Sequence, residues 1–461
     1  MSQGYHLLKA FTGEEWLNNL SVYVDESGEI TGLKSNDSNP SRLPVIEGPV
    51  VPGIANLHSH AFQYAMAGLT ELRRNPVDTF WSWREMMYHF CLRLTPEDQR
   101  AIASKLYLEC LKRGYASVAE FHYIHNQPDG SAYQNPTEMS LATLAAARAV
   151  GIQLTHLPVF YAHSDFGAKR PTDTQRRFVT SVERFARMLE TLAPACKDQD
   201  AVLGIAAHSL RAVSESELAE LTQLHKQLSD YGPFHIHIAE QMQEVESCLQ
   251  YCGKRPVERL FDLTDVDESW CLVHATHMTE AETQSVASSG ATVGLCPLTE
   301  ANLGDGIFNA VPYLKSGGSY GIGSDSNVSC DPFAELQMLE YSQRLNRRER
   351  TVLASSELPN TGASLYAQAA MGGAHAVGRK AGKLSVGYAA DFVELRGPDG
   401  QQSPWLPDSA LLDHQIFAQG SHLVGDVVIK GKRVLENGTH PQESVINSAY
   451  TATMHALCRE L

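Results

Sequence analysis

The sequence predicts an α/β fold: a closed parallel (β/α)8 barrel of the TIM type, with a small β-sandwich domain built from both chain ends. Three observations predict it. Between residues 50 and 379, short apolar runs alternate with helix-like segments about eight times, the pattern of parallel strands each followed by a helix. The stretches 1–49 and 380–461 carry strand and turn signals instead, and neither alone has enough strands to bury a core. A chain of 461 residues, 43% hydrophobic, is long enough for both units.

The strand candidates, in order, are VVPGIANLH (50–58), YASVAEFHY (115–123), IQLTHLPVF (152–160), VLGIAAHS (202–209), FHIHIAE (234–240), CLVHATH (271–277), ATVGLCP (291–297) and SYGIGSDS (319–326). Helix starts separate them. Thr95 is an N-cap before Pro96, with Glu97 and Asp98 in the first turn, and Gly114 stops that helix. Ser214 to Glu217, Thr279 to Glu282 and Asp331-Pro332 open others. The charged stretch 343–360 reads as a solvated helix face and a loop. At the ends, VYVDESGEITGL, ADFVEL and GDVVIKGKRVLENG alternate as strands do, the last with an Asn437-Gly438 turn.

A net charge of −16 argues against nucleic acid or an anionic membrane as a partner. It also means that an acidic substrate needs local arginines. No run of 18 apolar residues suggests a membrane span, and the N-terminus lacks a signal-peptide pattern. Nine scattered cysteines without a CxxC read as reduced thiols of a cytoplasmic protein. Cys248 and Cys252, four apart, fall on one helix face.

Catalytic groups of a barrel sit at the C-terminal ends of its strands, where histidines and acids recur here. Strand one ends in His58 and His60, strand four in His208, strand five in His237 with Glu240 three residues on. Strand six carries His274 and His277, and strand eight ends in Asp325. Residues i and i+2 of a strand share a face, so His58 and His60 converge. With His237 and Asp325 they form a candidate catalytic metal site, three imidazoles and a carboxylate around one divalent ion per chain. That set suits zinc best, iron and manganese staying open. A single strand histidine is more often a hydrogen-bonded core residue, the reading given to His156, His225, His375 and His414. His235 shares a face with His237 and is the structural one of the two by its distance from the strand end. His122, His125 and His163 lie near strand ends and could line the pocket.

These residues resemble the amidohydrolase superfamily: HSH at 58–60, H-x-x-E at 237–240, His274, and GSDS at 323–326, with GKLSVGYAADFVEL (382–395) as the return into the β-domain. The H-x-x-E points to its one-metal, deaminase-like branch, and the fourth strand candidate has no lysine at its end, in agreement. FWSWREMMY (80–88), HSLRAV (208–213) and GSDSN (323–327) resemble the members of that branch that act on a linear amidine bearing two carboxylates. The resemblance implies metal-dependent hydrolytic deimination of N-formimino-L-glutamate to N-formyl-L-glutamate and ammonia, as in histidine degradation, by a homodimer. It implies Glu240 as proton shuttle, or else a group orienting His237. His274 holds the attacking water, or else binds the metal, and Asp325 binds metal and helps take the water's proton. Arg84 and Arg211 meet the substrate carboxylates, and Gln63, Tyr123 and His208 add donors. Two alternatives stay open. One is an aminohydrolase acting on a guanine, pterin or triazine ring, stacked on Phe80, Trp81 or Trp83. The other is a non-catalytic metal-binding scaffold.

Overall fold

The structure is a computed structural model that describes residues 3–39, 42–71, 80–227, 232–396, 405–418 and 424–460. The side chains of Phe80, Trp81 and Ser82 lie outside the described residues, so the stacking role considered for Phe80 and Trp81 does too.

Eight parallel barrel strands pair in chain order: Ile54–Ser59, Tyr115–His122, Gln153–Phe160, the interrupted Val202–Leu203 and Ile205–Ser209, Phe234–Ile238, Trp270–His274, Thr292–Leu295 and Ser319–Ile322. The ring closes where Ser59 bridges Asp325. There Asp325 N–H donates to His58 O at 2.9 Å and His60 N–H donates to Asp325 O at 3.1 Å. The two segments that carry the predicted ligands are therefore hydrogen-bonded neighbours. The opposite end of the barrel is plugged by the end of helix Thr361–Ala376, where His235 Nε2 meets Ala376 O at 2.7 Å and Thr155 Oγ1 donates to Val377 O at 2.7 Å. His235 is thus a core histidine, one layer below His237.

Helix boundaries follow their caps. Pro96–Arg113 starts on a reciprocal Thr95–Asp98 capping box and stops at Gly114, whose φ of 104° favours glycine. Ser214 and Glu217 form the same reciprocal pair ahead of Glu215–Gln227. Thr279 and Asp331 cap Glu280–Ser289 and Pro332–Arg347.

Both chain ends meet in one sheet. Its seven strands run in the order Lys432–Leu435, Val424–Ile429, Phe392–Leu395, Val45–Pro52, Gln3–Phe11, Trp16–Val24 and Ile30–Lys34. Leu7, Leu20, Val22, Ile46, Val50, Phe392 and Val428 pack as its core. The apolar run at 45–59, whose end sequence alone reads as one strand from 50, is two strands. Val45–Pro52 pairs with Gln3–Phe11 and Phe392–Leu395, and only Ile54–Ser59 enters the barrel. Gly53 separates them: a Cβ there would stand 2.6 Å from Ala116 Cβ. Among the described residues of 380–461 the chain also forms the α-helices Leu411–Phe417 and Glu443–Leu457. The second lies on Pro96–Arg113, where Lys105 reaches Asn447 at 2.8 Å and Lys112 reaches Glu443 at 2.5 Å. Among the described residues no helix is long and apolar enough to cross a membrane.

Candidate active site

His58, His60, His237 and Asp325, all buried, bring one donor atom each to within 4.8 Å of one another. His58 Nε2 lies 3.2 Å from His60 Nε2 and 2.9 Å from His237 Nε2, and His60 Nε2 lies 3.1 Å from Asp325 Oδ1. Such nitrogens repel unless something electrophilic lies between them. The outer nitrogens say what that is. His60 Nδ1 is 2.9 Å from Phe121 O and His237 Nδ1 is 2.9 Å from His208 O. A carbonyl only accepts, so both Nδ1 atoms carry the proton and both Nε2 atoms present bare lone pairs inward. The Phe121 ring floors the three imidazoles, with centroids 4.9, 5.3 and 4.5 Å from His58, His60 and His237. The donor set fits one divalent ion. Burial pushes the His58 pKa down to about 3, and burial with the adjacent imidazoles holds His237 well below its usual range, so both are neutral ligands. Burial works against Asp325 as an anion, but the His58 and His60 imidazoles packed against it and the nearby His274 keep its carboxyl well below the usual range.

The loop after the eighth strand is locked from behind. Asn56 Nδ2 donates to Ser324 Oγ at 2.7 Å, Ser324 Oγ donates to Asn327 Oδ1 at 2.6 Å, and Asn327 Nδ2 donates to His60 O at 2.9 Å. This network holds Asp325 and Asn327 at φ of 44° and 61°; His274, at the sixth strand end, sits at 69°. Left-handed backbone at residues other than glycine is costly, and at these three positions it lies at strand ends that carry site residues.

Glu240 and His274 stand beside the ligands. His274 Nε2 is 3.8 Å from Glu240 Oε1 and 3.9 Å from Asp325 Oδ2, and its Nδ1 is 3.4 Å from Glu300 Oε1. Burial opposes its charge, yet the Glu240 and Glu300 carboxylates hold its pKa up at about 10. Burial raises the Glu240 pKa, against the pull of His274 and Arg211. His274 stands outside the four-donor set; with Cys296 it forms a second group that shares Asp325.

One cavity joins these groups to the predicted substrate residues. His60, His237, Glu240, His274 and Asp325 line it together with Gln63, Arg84, Tyr123, His208 and Arg211. Gln63 Nε2 donates to Tyr123 Oη at 2.9 Å. The Arg84 guanidinium lies 5.3 Å from the Tyr88 ring centroid. Burial works against the Arg211 charge, but Glu244 and Glu240 raise its pKa, and its Nε is buried without a partner. His122 and His125 are absent from this wall. On the second strand Phe121 and Tyr123 point inward, so His122 points out, its ring 5.6 Å from His156, and His125 Nε2 donates to Val159 O at 2.8 Å. His163 pairs with Glu217 at 2.8 Å, and His277 Nε2 lies 2.8 Å from Asp305 O.

Tyr88, Tyr161, Ser164, Phe178 and Leu303, to which the sequence alone assigns no role, line the same cavity. Tyr161 immediately follows the third strand, a position the strand-end rule could have flagged. Behind them lies Arg177, a fully buried arginine. It donates to Asn126 O and Leu94 O at 2.8 Å each, and to Cys91 O. It thereby ties helix Phe80–Cys91 to the loops after the second and third strands. Replacing it by methionine leaves three buried carbonyls without donors. The expected cost is about 3 kcal/mol of unfolding free energy, read as a lower urea midpoint.

The model of the amidohydrolase family matches residues 50–434. The chain belongs to the amidohydrolase family. This amidohydrolase is similar to formimidoylglutamate deiminase of Pseudomonas aeruginosa, 44% identical over 97% of this chain and 98% of that one. The crystal structure of an amidohydrolase from Brucella melitensis superposes with a TM-score of 0.93 at 44% identity, covering 99% of each chain. An adenosine deaminase from Xanthomonas campestris, crystallised with bound zinc, shares the fold at a TM-score of 0.80 and 22% identity, covering 98% of each chain.

Proposed function

We propose that this amidohydrolase hydrolyses N-formimino-L-glutamate to N-formyl-L-glutamate and ammonia. The observation that carries this is the joining of a metal-ligand cluster and Glu240 to two guanidiniums, Arg84 and Arg211, in one cavity. The P. aeruginosa deiminase, 44% identical over nearly the whole chain, supports it. A divalent ion held by His58, His60, His237 and Asp325, best matched by zinc, supplies a Lewis acid that brings the pKa of a water to about 7.

The residues do the rest. Water adds to the formimino carbon, which is bonded to two nitrogens. Both protons of that water end on the departing nitrogen: Glu240 carries the first as water adds and the second as the formyl C=O forms, since nitrogen leaves poorly unless protonated. His274, between Glu240 and Asp325, donates from Nε2 to the attacking oxygen and orients it. Asp325 shares in accepting the water's proton. Arg84 and Arg211 meet the two carboxylates with paired hydrogen bonds, while Gln63, Tyr123 and His208 add donors along the chain between. A neutral aromatic ring offers these guanidiniums no charge to meet.

Ammonia release by metal-replete protein, compared for N-formimino-L-glutamate, N-formimino-L-aspartate and guanine, tests the assignment. Turnover is expected with the first. The aspartate compound, shorter by one methylene, is expected to lose roughly 10- to 200-fold in kcat/KM. Release from guanine alone would overturn the reading. Arg211→Ala is expected to weaken substrate binding by about 2 kcal/mol or more, a KM rise of roughly thirtyfold; an unchanged KM removes Arg211 from the substrate site.

A further inference from the structure

Two tyrosines of the cavity wall have their hydrogen-bond direction set from behind. Gln175 is fully buried in the short turn Asp173–Gln175. Its Oε1 accepts the Thr172 backbone N–H at 2.8 Å and the Thr172 hydroxyl at 3.1 Å. A backbone N–H can only donate, so the amide cannot be turned round and its nitrogen must point the other way. That nitrogen carries two hydrogens. It stands 2.7 Å from Tyr161 Oη and 3.4 Å from Tyr88 Oη. A phenol that accepts from an amide keeps its own proton for another partner.

Both phenols line the substrate cavity, and both have Arg84 and Arg211 among the charges acting on them. Tyr161 is further fixed by edge contact with His208, at 4.9 Å between ring centroids, and with Phe178, at 5.6 Å. On the reading of the previous section, the missing partner is an acceptor on the ligand. We propose that Gln175 is a positioning residue that makes the Tyr161 and Tyr88 hydroxyls donors toward a carboxylate of the substrate. The pocket then recognises that carboxylate with oriented O–H groups as well as guanidiniums. A ligand group that must donate, such as a carboxamide NH2, meets only donors there.

Gln175→Glu inverts the arrangement while keeping its shape. A carboxylate still accepts from Thr172, but it also accepts the phenol protons and so takes them from the substrate. With N-formimino-L-glutamate, KM is expected to rise roughly tenfold or more with little change in kcat, as for loss of hydrogen bonds to a charged group. The Kd for N-formyl-L-glutamate is expected to rise by a similar factor. In a Tyr88→Phe, Tyr161→Phe background the same substitution is expected to add little. An unchanged KM overturns the proposal. So does an equal rise in the phenylalanine background, which would charge the loss to the new carboxylate acting alone. Should Gln175→Glu fail to fold, Tyr161→Phe carries the test: a raised KM at near-normal kcat supports the proposal and an unchanged one overturns it. Turnover by the wild type separates this inference from the substrate assignment. Without it that assignment falls, and this inference with it; with it, the variants judge the inference alone.

Discussion

Glu240→Gln is expected to purify with a full complement of metal and to lose roughly 10²- to 10⁴-fold in kcat. Glu240 is not among the four clustered donors, so the substitution leaves the ion's ligands intact. Glutamine keeps the size of the side chain and the partners of its backbone, including the Glu240 N–H donation to Glu244 at 3.1 Å. It cannot carry a proton from water to nitrogen. KM is expected to stay near the wild-type value, because the arginines proposed to bind the substrate carboxylates are untouched. Metal analysis beside steady-state kinetics reads both quantities. Near-normal kcat with full metal would assign the proton transfer to another group. Loss of metal would mean that Glu240 orients His237 instead of moving protons.

The metal cluster was legible because its signal obeys strand geometry. Two histidines at i and i+2 must share a face, and the end of a barrel strand is where side chains meet across the ring. Asp325 was legible for the same reason, although it lies three residues beyond Ser319–Ile322 in an irregular segment bonded to the first strand. The extent of the first strand was not legible. Residues 45 to 59 form an apolar stretch, and only pairing partners show that the chain changes sheet at Gly53. Tyr123 came from the family resemblance; strand alternation counted from it turns His122 away from the pocket. The third-strand loop carries a different kind of information. Gln175 closes a capping box with Thr172, which marks a turn and not a pocket wall, and Arg177 and Phe178 carry no periodic signal. Their roles depend on carbonyls and phenols far away in sequence, such as Leu94 O and Tyr88 Oη.

The chemistry of the site is therefore divided between two kinds of structure. The candidate metal ligands and the proposed proton-carrying acid, Glu240, rise from strand ends, whose positions the barrel fixes. On the proposed reading, one part of substrate recognition, Arg84 with the Tyr88 and Tyr161 phenols, rests on helix Phe80–Cys91 and the loop after the third strand, which Arg177 ties together. Changes in this second layer are expected to alter KM, and changes in the first to alter kcat or metal content.

Gly323→Ala is expected to strip the ion although it removes no ligand. A Cβ at position 323 would stand 2.8 Å from His58 N, 2.9 Å from His58 O and 2.9 Å from His58 Cβ. Two of these three atoms are backbone, held in the pairing that closes the barrel through Asp325 N–H and His58 O at 2.9 Å, so no flexible side chain can give way. Either the eighth strand or His58 must move by several tenths of an ångström. Both segments carry ligands, and His58 Nε2 and Asp325 Oδ1 are already 3.6 Å apart. The strain of overpacking a filled interior is about 1–3 kcal/mol. To it is added the loss of a binding energy that depends on all four donors converging. The variant is expected to fold with a lowered melting temperature, to bind much less than one ion per chain, and to regain part of its activity at high added zinc. Full metal occupancy at normal stability would show that the first and eighth strands are not packed as tightly as these contacts require.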